Sequence, residues 1–206
     1  LPISQGSAYV FTRTNGVWTQ AQKLTAVGGA ANDQFGASLA LQGDTLVVGD
    51  PLDDVAGIAN QGSAYVFLRT NGVFAQQAQL IAADGVANDN FGRSVALSGE
   101  TAVIGAPLDD VGASVDQGSV YVFLRTGAAW AQQARISAAT GASADSFGFS
   151  VAISGETLLA GTPLDDVGAV SDVGTVSVYV RTNGAWALQT TLSAADGTAS
   201  DRSEEH

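Results

Sequence analysis

The chain repeats itself every 56 residues without a gap. Phe35-Gly36, Phe91-Gly92 and Phe147-Gly148 fall in step, and so do Gly6-Ser7, Gly62-Ser63, Gly118-Ser119 and Gly174-Thr175. Residues 35–90 and 91–146 agree at 31 of 56 positions. Identity at that level, with no insertion or deletion, makes each copy one supersecondary unit that buries its apolar surface against its neighbours.

Within a copy, four short runs rich in Val, Ile, Leu, Tyr, Phe and Thr are separated by turn residues, and no 3.6-residue period is present. In the copy that starts at Phe91 the predicted strands A to D are 91–98, 101–106, 119–125 and 129–137. Tight turns at Gln42-Gly43-Asp44, Ser98-Gly99-Glu100 and Ser154-Gly155-Glu156 join A to B. Asn15-Gly16, Asn71-Gly72 and Asn183-Gly184 join C to D, a dipeptide that supplies the positive φ of a hairpin turn; Gly127-Ala128 departs from it. The B to C and D to A connections are longer.

Runs such as Val120-Tyr121-Val122-Phe123-Leu124 are apolar without alternation, so both faces of the sheet are covered. A four-stranded sheet stacked between copies of itself is a propeller blade. A β-solenoid is the alternative, but its coils usually run to roughly 20–30 residues. The expected fold is therefore all-β, a β-propeller of four-stranded antiparallel blades with about three and a half blades per chain. It divides into a half blade (1–34, strands C and D), blades at 35–90, 91–146 and 147–200, and a tail at 201–206, all in one domain.

Composition narrows the partners. Twenty acidic against eight basic side chains give a net charge of −12, unfavourable for nucleic-acid backbones or anionic lipid surfaces. No apolar run approaches the roughly 18 residues of a membrane helix, so no membrane insertion is expected. There is no Cys, which removes disulfides and thiolate chemistry. The opening Leu1-Pro2-Ile3 without Met reads as a processed or excised terminus, and Arg202-Ser203-Glu204-Glu205-His206 as an appended tail.

Phe91-Gly92, followed by Val103-Ile104-Gly105-Ala106-Pro107 and Gly118-Ser119-Val120-Tyr121-Val122-Phe123, resembles the FG-GAP repeat of integrin α-subunit propellers and bacterial surface and secreted proteins. The Gly-Ala-Pro element reads Gly49-Asp50-Pro51 and Gly161-Thr162-Pro163 in the other copies. The resemblance implies a propeller, an extracellular or cell-surface location, and a role in adhesion, in ligand capture or as an accessory domain of an enzyme, for instance one acting on polysaccharides. It also implies Ca²⁺ in a long A to B loop. The A to B turns here are too short to supply 6–8 oxygens, so that site is carried to no residue.

The recurring acidic residues lie elsewhere. Asp53, Asp54, Asp109, Asp110, Asp165 and Asp166 fall in B to C loops, and Asp33, Asp89, Asp145 and Asp201 in D to A loops. An antiparallel meander opens both loop types at the same end of every blade. With Asp50, Asp84, Asp116, Asp172 and Asp196 that face collects fifteen acidic residues, against Asp44, Glu100 and Glu156 on the other. The Asp residues shape their loops through side-chain to backbone bonds, or they coordinate Ca²⁺ or grip a basic partner. The candidate ligand- or cation-binding residues are Asp53, Asp54, Asp89, Asp109, Asp110, Asp145, Asp165 and Asp166. Arg13, Arg69, Arg125 and Arg181 reach the opposite face, where Arg69 and Glu100, or their equivalents, are placed to pair across neighbouring turns.

Trp18, Phe74, Trp130 and Trp186 recur at the start of strand D; inter-blade packing explains them better than sugar stacking. His206 is the only His, no Ser-His-Asp arrangement can form, and adjacent carboxylates such as Asp109-Asp110 point apart, so no enzyme activity is expected. The first hairpin, 7–26, lacks strands A and B, and a closed propeller needs about four blades. Its unpaired edge at 8–12 therefore calls for self-association or for further repeats. The functional expectation is a non-enzymatic binding or adhesion module that presents its acidic loop face to a protein, carbohydrate or cation ligand; a structural spacer is the alternative.

Overall fold

A computed structural model of the chain describes residues 5–201. Of the expected tail at 201–206, residues 202–206 lie outside the described residues, as does the Leu1-Pro2-Ile3 opening. Within them every regular element is a strand. A hairpin of β1 (Ala8–Thr14) and β2 (Val17–Leu24) is followed by the first full sheet, β3 (Ser38–Gln42), β4 (Thr45–Asp50), β5 (Ser63–Thr70) and β6 (Val73–Leu80). The second comprises β7 (Ser94–Ser98), β8 (Thr101–Ala106), β9 (Ser119–Thr126) and β10 (Ala129–Ile136). The third comprises β11 (Ser150–Ser154), β12 (Thr157–Thr162), β13 (Thr175–Thr182) and β14 (Ala185–Leu192).

Strand order in each sheet follows the sequence, and every pair is antiparallel. Gly43, Gly99 and Gly155 take φ of 56–57° in the A to B turns, while Asn71-Gly72 takes φ of 51° and 83° in a C to D turn. Each C–D pair carries a register shift, as between Val66 and Phe67, which adds twist to the outer strand. The first strands of successive sheets, β3, β7 and β11, lie against one another, whereas the outer strands β2, β6 and β10 barely meet. The sheets therefore fan out from inner first strands, as propeller blades do.

Alternation along a strand sends successive side chains to opposite blade junctions. Val47 and Val66 pack with Phe91, Ile104 and Tyr121 between the first and second blades. Their neighbours Val48 and Tyr65 pack with Ala8, Leu24 and Phe35 against the N-terminal hairpin. Val103 and Val122 meet Phe147, Leu158 and Tyr179 between the second and third. The Phe of each Phe-Gly is the wedge of its junction: Phe91 lies 5.4 Å from the Tyr121 ring and 6.0 Å from that of Phe123, both edge-on.

The glycines of the motif mark where backbones cross between blades. The Phe91 N–H donates to the Gln61 carbonyl at 3.0 Å. A Cβ on Gly62 would stand 2.1 Å from the Phe91 carbonyl oxygen, and one on Gly105 would stand 1.9 Å from that of Gly148. Only glycine permits that approach.

Candidate ligand-binding loop face

The two long loop types do open at one end, and they are laced together. The Leu52 N–H donates to the Asp33 carbonyl at 3.0 Å, and Leu108 and Leu164 repeat the bond to Asp89 and Asp145 at 3.3 Å. On their other side the same loops meet the next D to A connection, through Asn88 N–H to the Ala59 carbonyl at 2.9 Å and Ala144 N–H to that of Val115 at 2.8 Å. The face is thus built from consecutive loops bonded to one another through their backbones.

The candidate residues divide by depth. Asp89 and Asp145 are buried, and each closes its own loop: Asp89 Oδ2 accepts the Val86 N–H at 2.6 Å, and Asp145 Oδ2 that of Ala142 at 2.5 Å. Burial pushes Asp89 up to about 6 against the pull of that N–H, and raises Asp33 and Asp145 for the same reason. Asp53 and Asp109 are buried and Asp165 half-buried. The outward residues are Asp54, Asp110 and Asp166, which recur once per blade. Each spends only Oδ1 on the loop, accepting the N–H of Asn60, Asp116 or Asp172 at 2.8, 2.9 and 3.0 Å.

Beneath them the three blades differ. In the second blade, Asp109 Oδ2 accepts from Arg135 at 2.6 Å and from Tyr121 at 3.2 Å; Arg135 also reaches Asp84 at 2.8 Å and lies 5.9 Å from the Tyr121 ring centre. One repeat earlier the place of Arg135 is held by Gln79, which donates to Asp53 at 2.9 Å. One repeat later Thr191 stands there and Ser177 replaces Tyr121, leaving a cavity of about 90 Å³ lined by Thr162, Asp165, Thr175 and Tyr179. The hairpin has Lys23 at this position, 5.8 Å from the Tyr9 ring centre.

Asp50 is the other departure. It ends β4 where the later blades carry Ala106 and Thr162, it is fully buried, and neither carboxylate oxygen has a hydrogen-bond partner. Burial above all, then the charges of Asp53 and Asp33, push it up to about 8. Sequence reasoning places Asp50 among the acidic residues of the face without its depth and does not single out Arg135. The signal for both is a repeat position where one copy changes charge.

The opposite face is neutralised within each blade. Arg69 Nε donates to Asp44 at 2.8 Å, and Arg125 and Arg181 hold both oxygens of Glu100 and Glu156, respectively, through Nε and Nη2. This corrects the expected pairing of Arg69 with Glu100. The C strand lies in the same sheet as the A to B turn, and the Arg69 N–H bonds the Asp44 carbonyl at 2.8 Å, so the nearest acid is its own blade's. The aromatics pack between blades: Phe74 is buried, and the Trp130 indole N–H donates to Gln77 of the preceding blade at 3.2 Å. Trp18, with no described blade before it, is 64% exposed.

Among the described residues no three His, Cys, Asp or Glu side chains are grouped to share one metal ion, and no helix is long and apolar enough to cross a membrane. The A to B turns do not fit the family's calcium site, since Asp44 is spent on Arg69.

Fanned antiparallel blades stitched by Phe-Gly and Gly-x-Pro backbone crossings define a propeller repeat protein. The FG-GAP repeat family matches at residues 18–67, 74–123 and 130–179, and the chain belongs to it. Each matched unit takes the D strand of one blade and strands A to C of the next, so the sequence unit is staggered across the junctions that it fills. Comparison with curated proteins gave no match.

Proposed function

We propose that this chain is an extracellular, non-enzymatic binding module of the adhesion type, which presents its loop face to a basic or polyhydroxylated ligand. FG-GAP repeats occur in adhesion-type and surface proteins and are typically non-catalytic. One observation carries the reading: Asp54, Asp110 and Asp166 form an outward row, one carboxylate per blade, while the acids of the other face are paired with Arg. A row of like charges repels itself and is favoured by a ligand that compensates it. The test compares wild type with D54N/D110N/D166N on arrays of basic peptides and glycans. Salt-sensitive binding lost in the triple variant supports the module; equal binding by both would show that the row is not the contact, and binding by neither leaves the spacer reading.

A second proposal concerns the partner. Tyr9 and Phe11 are about half exposed on the leading face, and Leu159 and Leu192 are exposed on the trailing one. Inside the chain their equivalents meet, Tyr121 and Phe123 packing with Val47 and Leu80. Head-to-tail association with a second copy would restore that junction.

A further inference from the structure

We propose that the buried carboxyl groups of Asp50 and Asp53, under the loop face of the first full blade, bind one hard divalent cation such as Ca²⁺, a site separate from the outward row of carboxylates. The inference deepens the binding-module reading and rests on the loop face being a ligand surface.

Asp50 supplies the first argument. It is wholly buried, and both its oxygens lack partners, whereas buried polar groups are almost always bonded. A wholly buried carboxyl without a partner ionises only when a counter-charge joins it, and a cation is the counter-charge that its two free oxygens can take. The Asp53 N–H bonds the Asp50 carbonyl at 3.3 Å, closing a turn that returns the second carboxylate beside the first. Asp33 adjoins through its bond to Leu52 and adds a third negative charge to the field on Asp50.

Comparison between blades supplies the second. The second blade has Ala106 in place of Asp50 and brings its own cation, Arg135, to Asp109. The hairpin carries Lys23 at the same repeat position. The first blade has Gln79, which is neutral, and one carboxylate more. It is thus the blade with the most carboxyl groups at this level and no basic side chain at the position that supplies one elsewhere.

The donor set decides the chemistry. The three donors that reach Asp53, from Ser63, Tyr65 and Gln79, all go to Oδ2, at 2.5, 2.9 and 2.9 Å. Asp53 Oδ1 is thus left over, and the groups gathered at this level, the Asp50 and Asp53 carboxyls with the Ser63 and Tyr65 hydroxyls and the Gln79 amide, offer oxygen but no imidazole or sulfur. An all-oxygen set suits Ca²⁺, Mg²⁺ or Mn²⁺ and disfavours softer metals. Because no three acidic side chains share one point among the described residues, two carboxylates bind and neutral oxygens complete the shell.

The test is calorimetric titration and thermal melting of the purified chain with CaCl₂, MgCl₂ and MnCl₂ after EDTA treatment. Variants D50A and D50T carry the residues of the second and third blades, and D54N/D110N/D166N removes the outward row. The expected result is one saturable site in wild type and in the row variant, with a Kd for Ca²⁺ of about 0.1–1 mM, in the range of extracellular modules. The Tm should rise with cation. Both Asp50 variants should lose the site and melt higher than wild type in EDTA. Absence of any saturable site, retention of the site in D50A and D50T, or its loss in the row variant alone would overturn the proposal. The last of these would leave the loop-face reading standing, as would failure to bind cations with peptide or glycan binding intact.

Discussion

Arg135 Nη2 donates to Asp109 Oδ2 at 2.6 Å across the loop end of the second blade, with the Asp109 side chain 5% exposed and that of Arg135 30%. A carboxylate this deep depends on its cation, whereas Asp53 one repeat earlier rests on Ser63, Tyr65 and Gln79. Truncating the guanidinium should therefore cost more than the loss of a surface ion pair. R135Q, which installs the first blade's residue, is expected to destabilise the chain by about 1–3 kcal/mol in urea denaturation. R135Q/D109N should recover some of that loss, since the second change removes the stranded charge. Independent, additive losses would show that the pair is not coupled.

The two glycines at 62 and 72 share φ of 83° but not their surroundings. A Cβ on Gly62 would sit 2.1 Å from the Phe91 carbonyl oxygen, while one on Gly72 would meet nothing within 4 Å. G72A should then cost only backbone strain, about 1 kcal/mol. G62A must also push neighbouring blades apart, and about 3–5 kcal/mol is expected from strain and overpacking together. Chemical denaturation of the two variants side by side checks this; equal losses would mean that the junction yields freely.

Much of this architecture is legible in the sequence because a repeat reports its own boundaries. Asn71-Gly72 and Gly99 fix the hairpins, and Val120 to Phe123 announce a sheet covered on both faces, which their complete burial bears out. The common face of the long loops follows from strand parity alone. Depth does not. Asp53 and Asp54 are neighbours of identical chemistry, yet one is buried and the other exposed, because the turn that starts at Asp50 folds Asp53 under the loop. The in-blade pairing of Arg69 with Asp44 is equally hidden, since only the sheet register decides between that acid and Glu100.

Asp89 gives the loop face a pH dependence of definite sign. Its buried carboxyl is pushed up to about 6 from an ordinary value near 3.8. The folded chain thus holds the proton more tightly than the unfolded chain, so this contribution to stability is full below about pH 4 and is lost as pH rises through about 6. Thermal melts between pH 4 and pH 7 should show Tm falling in that window. D89N, which keeps an acceptor for the Val86 N–H and cannot ionise, should make the fall shallower and match wild type near pH 4, the remaining slope coming from Asp50, Asp33 and Asp145, which burial raises too. A wild-type Tm that rises over the same interval would contradict the assignment.

The two end faces make the last prediction. On the leading face Tyr9, Phe11, Leu39 and Leu41 border a groove of about 200 Å³; Phe11 and Leu41 are 51% and 63% exposed. Inside the chain Phe123, two repeats after Phe11, and Leu97, one repeat after Leu41, pack into one apolar cluster with Val47 and Leu80. The trailing face carries Leu159 and Leu192 at the positions of Val47 and Leu80. Complementary ends on one molecule form a heterologous contact, which gives a ring if the rotation closes and a filament if it does not. Light scattering should therefore report a mass above 20.7 kDa that grows with concentration. F11K and L192E should each return it to the monomer with the fold intact by circular dichroism. Mixing the two variants restores one intact leading face and one intact trailing face, so dimers should re-form. A wild-type chain that stays monomeric at 1 mM, a concentration at which even a contact worth about 4 kcal/mol is half occupied, would show that these faces do not bind each other.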